Sequence, residues 1–367
     1  MKFYMEKSVL QEAVNTVIRA VPGKSTIPAM EGVLMEAQGD CLTFTGYNML
    51  VGIRTRVEAD IDREGRMVIN AKLFSELIRK LPDDTVSLDC GSGVSTFICC
   101  GDTSYTIEAL SADDFPSLPE VGETQGFVIE EATLKSMIDD TVYAVSTNEA
   151  RPAQTGALFE LGGGKLHVVA CDGFRLAVRT EDAEGDAIEF IVPGNALNEV
   201  ERLCDTTGDG VKVSVGGRHI IFTIGETELI CRRLEGEFLN WRGVLPKDQP
   251  IAVKVNATEL IQCLDRVGVV VNEKLKSPVR CKVGKGGITL SARTNLGAAS
   301  DLCKIEGDGG GLDIGFNNRY LSEALRHTGE SELIMRMKDA ISPVVITAAE
   351  DSGRFVCMVL PVRFKND

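Results

Sequence analysis

Histidine is scarce in this 367-residue chain: only His167, His219 and His327 occur. The 11 cysteines are scattered, with no Cys-x-x-Cys among them. Cys99 and Cys100 are adjacent, a spacing that suits neither a zinc knuckle nor a disulfide pair. Reduced thiols in the core are therefore expected, with no metal site and no cofactor. No apolar run approaches the roughly 18 residues that a membrane span needs. The opening Met1-Lys2-Phe3-Tyr4-Met5-Glu6 has no apolar stretch of signal-peptide type, so the expected location is the cytoplasm.

Enzyme motifs are missing too. Gly23-Lys24-Ser25 resembles the end of a phosphate loop, but Ile18 stands where its first glycine belongs. Gly162-Gly163-Gly164-Lys165 fails in the same way at Phe159, and reads as a hairpin turn between Leu161 and Leu166. No Gly-x-Gly-x-x-Gly, Gly-x-Ser-x-Gly or His-Glu-x-x-His is present. The pairs Asp113-Asp114 and Asp139-Asp140 are expected on strands or turns, where neighbours point apart. No catalytic residue is nominated.

The formal net charge is −15, which by itself opposes binding to nucleic acid, since phosphates are neutralised by Lys and Arg. The charge is uneven, however. Residues 1–125 carry 11 basic and 19 acidic side chains, residues 126–250 carry 12 and 21, and residues 251–367 carry 16 and 14. An acidic protein can still present a basic strip.

Three features recur at a period of about 124 residues. Phe3, Phe127 and Val253 are each followed seven residues later by Leu10, Leu134 and Leu260, a short strand leading into an amphipathic helix. Ile69-Asn70-Ala71, Val192-Pro193-Gly194 and Phe316-Asn317-Asn318 each open a second strand–helix step ending in Glu76, Glu199 and Glu323. Asn70 and Asn317 fit as N-caps and Pro193 as a helix starter. Alternation at Leu42/Phe44, Leu166/Val168 and Ile288/Leu290 precedes a turn and a returning strand. The first return is Ile53, Thr55, Val57 and Ile61 on one face, with Arg54, Arg56, Glu58 and Asp60 on the other. The reading is α+β: three repeats over 1–124, 125–249 and 250–367, each with two helices packed on antiparallel sheets of about eight strands.

Tandem copies with a constant relation between neighbours build a spiral or a ring. A repeat of this size is roughly 35 Å across, and six in a circle leave a hole of about that width, enough for duplex DNA. Two chains of three repeats supply six. Basic residues on the predicted helices are Arg19, Lys72, Arg79, Lys80, Lys135, Arg202, Arg266 and Arg326. The densest basic stretch, from Lys274 to Lys282, reads as a Pro-containing loop suited to phosphate contact.

The motifs Met1-Lys2-Phe3, Thr26-Ile27-Pro28, Leu42-Thr43-Phe44-Thr45-Gly46 and Asp113-Asp114-Phe115-Pro116 resemble those of a known family. So do Cys171-Asp172-Gly173-Phe174-Arg175-Leu176, Val244-Leu245-Pro246, Gly315-Phe316-Asn317 and the tail Met358-Val359-Leu360-Pro361-Val362-Arg363. They match, in order along the whole chain, the bacterial sliding clamps, the beta subunits of DNA polymerase III. The resemblance implies a six-domain ring, a head-to-tail homodimer of three-domain protomers. It encircles double-stranded DNA and tethers the replicative polymerase after a clamp loader opens it. Other clamp-binding peptides dock in one cleft between the second and third domains.

By position, that cleft takes Gln154, Cys171, Gly173, Phe174, Arg175 and Leu176, then Leu239 and Val244. Asn317, Tyr320, Ile341 and Pro343 follow, with the tail Met358, Val359, Leu360, Pro361, Val362, Arg363 and Phe364. Leu176, Val244, Val359 and Leu360 would make an apolar pocket, and Arg175 and Arg363 would receive a carboxylate or carbonyl. DNA-facing positions implied by the resemblance are Lys24, Lys72, Arg151, Lys274, Lys276 and Arg280. The ring seam would set Leu77, Leu81, Tyr105 and Ile107 against Val269 and Val270 of a second copy. The alternatives are a repeat-built scaffold without DNA, or a nucleotide-processing enzyme with a site between repeats.

At the seam, Asp102 and Ser104 stand at usual basic positions, and Leu296 to Ser300 lack the usual acids. Closure is therefore expected to depend weakly on salt. Dimer dissociation measured across a salt series should stay nearly flat; a steep rise would contradict the apolar seam.

Overall fold

The computed structural model describes residues 1–91, 95–122, 124–206, 208–271, 277–350 and 353–364. Its elements follow the threefold period. The first repeat runs β1 (Lys2–Glu6), α1 (Lys7–Val17), β2 (Gly32–Gln38), β3 (Cys41–Tyr47), β4 (Val51–Glu58), β5 (Asp60–Arg63), β6 (Gly65–Asn70), α2 (Ala71–Lys80), β7 (Thr85–Cys90), β8 (Ser95–Cys100) and β9 (Thr103–Glu108). The second runs β10 (Gln125–Glu130), α3 (Glu131–Val142), β11 (Gly156–Gly162), β12 (Lys165–Cys171), β13 (Arg175–Asp182), β14 (Ile188–Pro193), α4 (Gly194–Leu203), β15 (Gly210–Val215), β16 (His219–Ile224) and β17 (Thr227–Arg232), followed by the short α5 (Trp241–Val244). The third runs β18 (Ile251–Asn256), α6 (Ala257–Gly268), β19 (Val279–Thr294), β20 (Gly297–Phe316), α7 (Asn318–Arg326), β21 (Glu332–Met337), β22 (Val344–Ala348) and β23 (Phe355–Val359).

Local chemistry accounts for the element ends. The Asn70 side chain accepts a hydrogen bond from the Leu73 amide at 3.1 Å, and Asn317 accepts one from Tyr320 at 3.2 Å. Each cap satisfies one of the amides left free in a first helical turn. Pro193 closes β14 rather than starting α4, which begins at Gly194. Gly163 and Gly164, with φ of 61° and 78°, make the two-residue hairpin between β11 and β12. The expected single return strand from Ile53 to Ile61 divides at Ala59 into β4 and β5, which pair with different sheets. Asp139-Asp140 lies on α3, not on a strand or turn; the two carboxylates still diverge, Asp140 buried and Asp139 exposed.

Contacts divide the chain into two compact units, Met1–Leu134 with Glu199–Arg233, and Lys135–Asn198 with Leu234–Asp367. The first holds a five-stranded sheet, β5-β1-β7-β8-β9, and an eight-stranded sheet, β10-β15-β16-β17-β4-β3-β2-β6. The second holds a ten-stranded sheet, β14-β11-β12-β13-β23-β22-β21-β18-β20-β19. All strand pairs are antiparallel. In each unit a sheet is continuous from one repeat into another, so packing does not separate the repeats.

The repeat sets the register of these joins. Phe3 faces Leu88, Leu88 faces Ile98, and Ile98 faces Tyr105. The same ladder in the second repeat is Phe127, Val213, Phe222, Leu229, and in the third Val253, Met335, Ile346, Cys357. Tyr105, Leu229 and Cys357 are thus equivalent. Likewise Phe44 faces Thr55, Val168 faces Arg179 and Leu290 faces Asp301. Two residues earlier on each return strand, Ile53, Ala177 and Ala299 are equivalent. The observed joins pair Leu229 with Ile53 and Cys357 with Ala177, the same register twice. Among the described residues, the outer edge of β9 is unpaired, and β20 between Gly297 and Lys304 pairs on one side only.

Helices bury one stripe each. Leu10, Ala13, Val14 and Val17 of α1 are buried, as are Leu260, Cys263, Leu264 and Val267 of α6. Leu77 and Leu81, expected at the ring seam, are 6% and 3% exposed and belong to the core of their own unit. Their apolar spacing marks the buried face of α2, which a sequence cannot distinguish from an interface.

Candidate functional site

Arg175 is the centre of the second unit's site. It opens β13 at the turn Asp172-Gly173-Phe174, where Asp172 Oδ1 accepts the amides of Phe174 and Arg175 at 2.8 and 3.0 Å. The Arg175 side chain is buried. Its Nε donates to Asp172 at 3.0 Å, its Nη2 to the Tyr143 carbonyl at 2.5 Å, and its Nη1 to Glu323. Burial alone would raise the Glu323 carboxyl, yet the hydrogen bond from Arg175 holds it below the usual range. The guanidinium lies 5.1 Å from the Tyr143 ring and 4.6 Å from the Tyr320 ring. Three of the five N–H donors of Arg175 are engaged by Asp172, Tyr143 and Glu323 and the residue is 3% exposed, so it is closed off from an incoming carboxylate. The expected receptor role is corrected to an internal clamp, since a buried guanidinium is stable only when paired.

Leu176, Met358 and Val359 are likewise core and not pocket wall. Leu176 and Val359 are fully buried, Met358 and Cys171 nearly so. Strand pairing explains it: Leu176 faces Met358 and Arg175 faces Val359 in the β13–β23 ladder. The surface over this ladder is made by other residues. Phe174 is 57% exposed, Ile341 65% and Val244 39%; Tyr320, Leu360 and Pro343 are half-buried. Phe174 stacks on Tyr320 at 6.0 Å.

The tail is pinned across this surface. The Leu360 amide donates to the Phe174 carbonyl at 2.9 Å, and the Val362 amide to Gly315 at 2.8 Å. A β-carbon on Gly315 would lie 2.6 Å from the Val362 carbonyl and 2.9 Å from the Phe364 ring, so only glycine admits the tail. Pro361 is half-buried and Arg363 is exposed. At the other side, Leu239 packs beside Trp241 on a small apolar cluster, and Trp241 and Arg242 both hydrogen-bond Glu160. Gln249 Nε2 donates to the Pro343 carbonyl at 2.8 Å. Gln154 Oε1 is buried and accepts no hydrogen bond.

The expected DNA-facing residues belong to both units. Lys24 and Lys72 are exposed in the first unit. Arg151 is exposed and lies beside the Cys171-Gly173 turn, 3.7 Å from the site of a Gly173 β-carbon. Arg280 is on β19, not in a loop; Asp313 holds it at 2.6–3.0 Å, and the Phe364 ring lies 5.1 Å away. Lys274 and Lys276 fall outside the described residues. Val269 is 79% exposed, while Val270, Tyr105 and Ile107 are half-buried.

Sequence reasoning missed Tyr143, Glu323 and His327 as members of this site. Tyr143 stacks on His327 at 4.7 Å with 9° between planes. Nothing in their spacing announces the contact, because they stand just past the ends of α3 and α7, in different repeats. All 11 cysteines are free thiols. Burial pushes Cys231, Cys281 and Cys357 up to about 12, which leaves them unreactive. Among the described residues no cluster of three potential metal ligands exists, and no helix is long and apolar enough to cross a membrane.

Three repeats joined edge to edge, with two helices each and a tail pinned over the second join, define a clamp-type replication protein. Family models for the DNA polymerase III beta subunit match as N-terminal domain over residues 1–119, central domain over 128–240 and C-terminal domain over 242–363. The chain belongs to that family. A beta sliding clamp of Caulobacter vibrioides is 31% identical, covering 99% of this chain and all of the relative. One of Bacillus subtilis is 29% identical at the same coverage. The crystal structure of the Bacillus subtilis DNA polymerase sliding clamp superposes with a TM-score of 0.94 at 28% identity over the whole of both chains.

Next to this site, Asp140 of α3 pairs with Arg179 at 3.0 Å and Arg179 with Glu181 at 2.5 Å. Burial raises the Asp140 carboxyl from 3.8 to about 7, with Arg179 opposing part of the rise. The folded state thus holds a proton that the unfolded chain releases near pH 4. The resulting stability is complete below that pH and is lost as pH rises through about 7. Asp140→Asn should therefore gain on the wild type between about pH 4 and 7, by about 1.4 kcal/mol for each pKa unit separating the two states. Urea denaturation at stepped pH reads this, and parallel pH profiles would contradict it.

Proposed function

We propose that the chain is the processivity clamp of DNA replication, working as a ring of two copies that encloses duplex DNA and tethers the replicative polymerase. The single observation that carries this reading is the repeated edge join. Two of the three equivalent edges are paired within the chain, in one register. The third pair, β9 and the Gly297–Lys304 half of β20, remains open. A second copy supplies the missing partner for each edge, and head-to-tail pairing at both closes the assembly.

Extending the register places Tyr105 opposite Ala299 of the second copy and Ile107 opposite Gly297. Val269 occupies the position of Tyr143, and Lys80 that of His327, so the exposed Val269 would cover the end of the other copy's α2. Leu77 and Leu81 would then support that seam from beneath rather than form it. The polymerase, the clamp loader and other partners would present a short peptide to the surface of Phe174, Tyr320, Val244, Ile341 and Leu360. Lys24, Lys72, Lys274 and Lys276 would contact phosphates non-specifically.

Confinement predicts a topological signature. Protein loaded on nicked circular plasmid should be retained, and should be lost when the plasmid is cut once; equal retention on both forms would defeat the clamp reading. The seam is tested separately by register. Residues directly opposite in an antiparallel pair have Cα separations compatible with a disulfide. Tyr105→Cys with Ala299→Cys should give crosslinked dimers under mild oxidation. Thr106→Cys with Ala299→Cys, one step off and facing away, should not. Equal crosslinking of the two pairs would refute the register.

A further inference from the structure

The second unit contains a continuous column of planar groups that begins at the exposed Phe174 and ends on the α3–α7 helix surface. Phe174 stacks on Tyr320 at 6.0 Å, and the Arg175 guanidinium lies 4.6 Å from Tyr320 and 5.1 Å from Tyr143. Tyr143 stacks on His327 at 4.7 Å, and His327 Nδ1 is 3.2 Å from Asp139 Oδ1. The Tyr143 hydroxyl reaches the Cys357 thiol at 3.1 Å, which fixes the ring at its far end.

The threefold period shows that this column is not general packing. Counting sixteen residues from Phe3, Phe127 and Val253 gives Arg19, Tyr143 and Val269. Counting four from Glu76, Glu199 and Glu323 gives Lys80, Leu203 and His327. Two before Ile53, Ala177 and Ala299 stand Val51, Arg175 and Gly297. Only one of three equivalent places carries the ring, the guanidinium and the imidazole together, and it is the one beside the proposed peptide surface.

We infer that His327 and Tyr143 are positioning residues for the partner cleft, acting through Arg175 on Tyr320 and Phe174; this rests on the reading of that surface as the peptide site. The mechanism is steric and electrostatic. His327 closes the open face of the Tyr143 ring. Tyr143 supplies both a carbonyl and a ring face to Arg175. Arg175, held on its remaining sides by Asp172 and Glu323, fixes the plane on which Tyr320 rests. If the imidazole is removed, the Tyr143 ring keeps its hydroxyl contact to Cys357 but loses the packing on one face, and the loosened guanidinium no longer sets the angle of the two exposed rings.

The test measures fluorescence anisotropy of a fluorescein-labelled peptide with a leucine–phenylalanine anchor, together with the aromatic resonances of Phe174 and Tyr320 in selectively labelled protein. His327→Ala should weaken the peptide roughly five- to tenfold, in the range of ordinary coupling between sites, and shift both resonances. His327→Phe, which restores a stacked ring, should recover both. Arg326→Ala, the neighbouring residue on α7 paired with Asp265, should change neither. Unmoved resonances and unchanged affinity in His327→Ala, or equal defects in the Ala and Phe variants, would overturn the inference. Failure of the peptide to bind the wild type would overturn the cleft reading instead, while the resonances would still report the column.

Discussion

Unpaired strand edges govern this molecule. A strand at a sheet edge presents a row of amides and carbonyls that must meet water, another strand or a covering element. Each repeat here ends in a strand with an open edge, and each repeat also offers an open return strand. β17 meets β4 and β23 meets β13. The sheets therefore run through the repeats, and the compact units cut across the sequence period. A protein built by joining edges leaves two ends over, and those ends are complementary by construction. The ring is the arrangement that satisfies both without adding any new kind of contact.

The same edge join shapes the candidate cleft. Because β13 pairs with β23, the side chains that alternate inward from both strands become core. What remains outside is a turn, a tail and the exposed rings they carry. Arg175 sits at the first residue of β13, where the chain enters the sheet, and there its charge is enclosed. A buried guanidinium is costly unless each side is answered. Asp172, Glu323 and the Tyr143 carbonyl answer it here. That arrangement binds a turn of the second repeat to a helix of the third, and gives the surface above it a rigid floor.

Much of this was legible in the sequence, for definite reasons. The period is visible because strand-to-helix changes of apolar spacing recur at fixed intervals. The caps at Asn70 and Asn317 are visible because capping is local. The glycine hairpin at Gly163 and Gly164 is visible because left-handed turns restrict residue type. Burial of Leu176 and Leu77 was not legible, since an apolar residue in a core and one in an interface give the same pattern. The pairing of Arg280 was not legible for a related reason. Its partner Asp313 stands 33 residues away and comes beside it only across the strand pair. Tyr143 and His327 were invisible because they meet through tertiary packing with no sequence relation.

The three equivalent joins differ in what reinforces them, and the difference follows their tasks. The β17–β4 join adds Arg54 on Glu228, with 2.5 Å between charged atoms, and a hydroxyl pair between Thr55 and Thr227 at 2.9 Å. The β23–β13 join has Arg175 and its two carboxylates. Both lie inside one chain and have no need to separate. In the register proposed for the third join, Ser104 faces Ser300, Thr106 faces Ala298 and Ile107 faces Gly297. Asp301, which faces Thr103, is already engaged by Arg266 at 2.6 Å. Between Thr103–Ile107 and Gly297–Asp301 this register would set no two opposite charges directly face to face, so none of those facing pairs would have to be broken and rehydrated on opening. An edge held by backbone hydrogen bonds and small apolar contacts can exchange them for water with little change in charge solvation. A ring that must be opened around DNA is best hinged at such a seam.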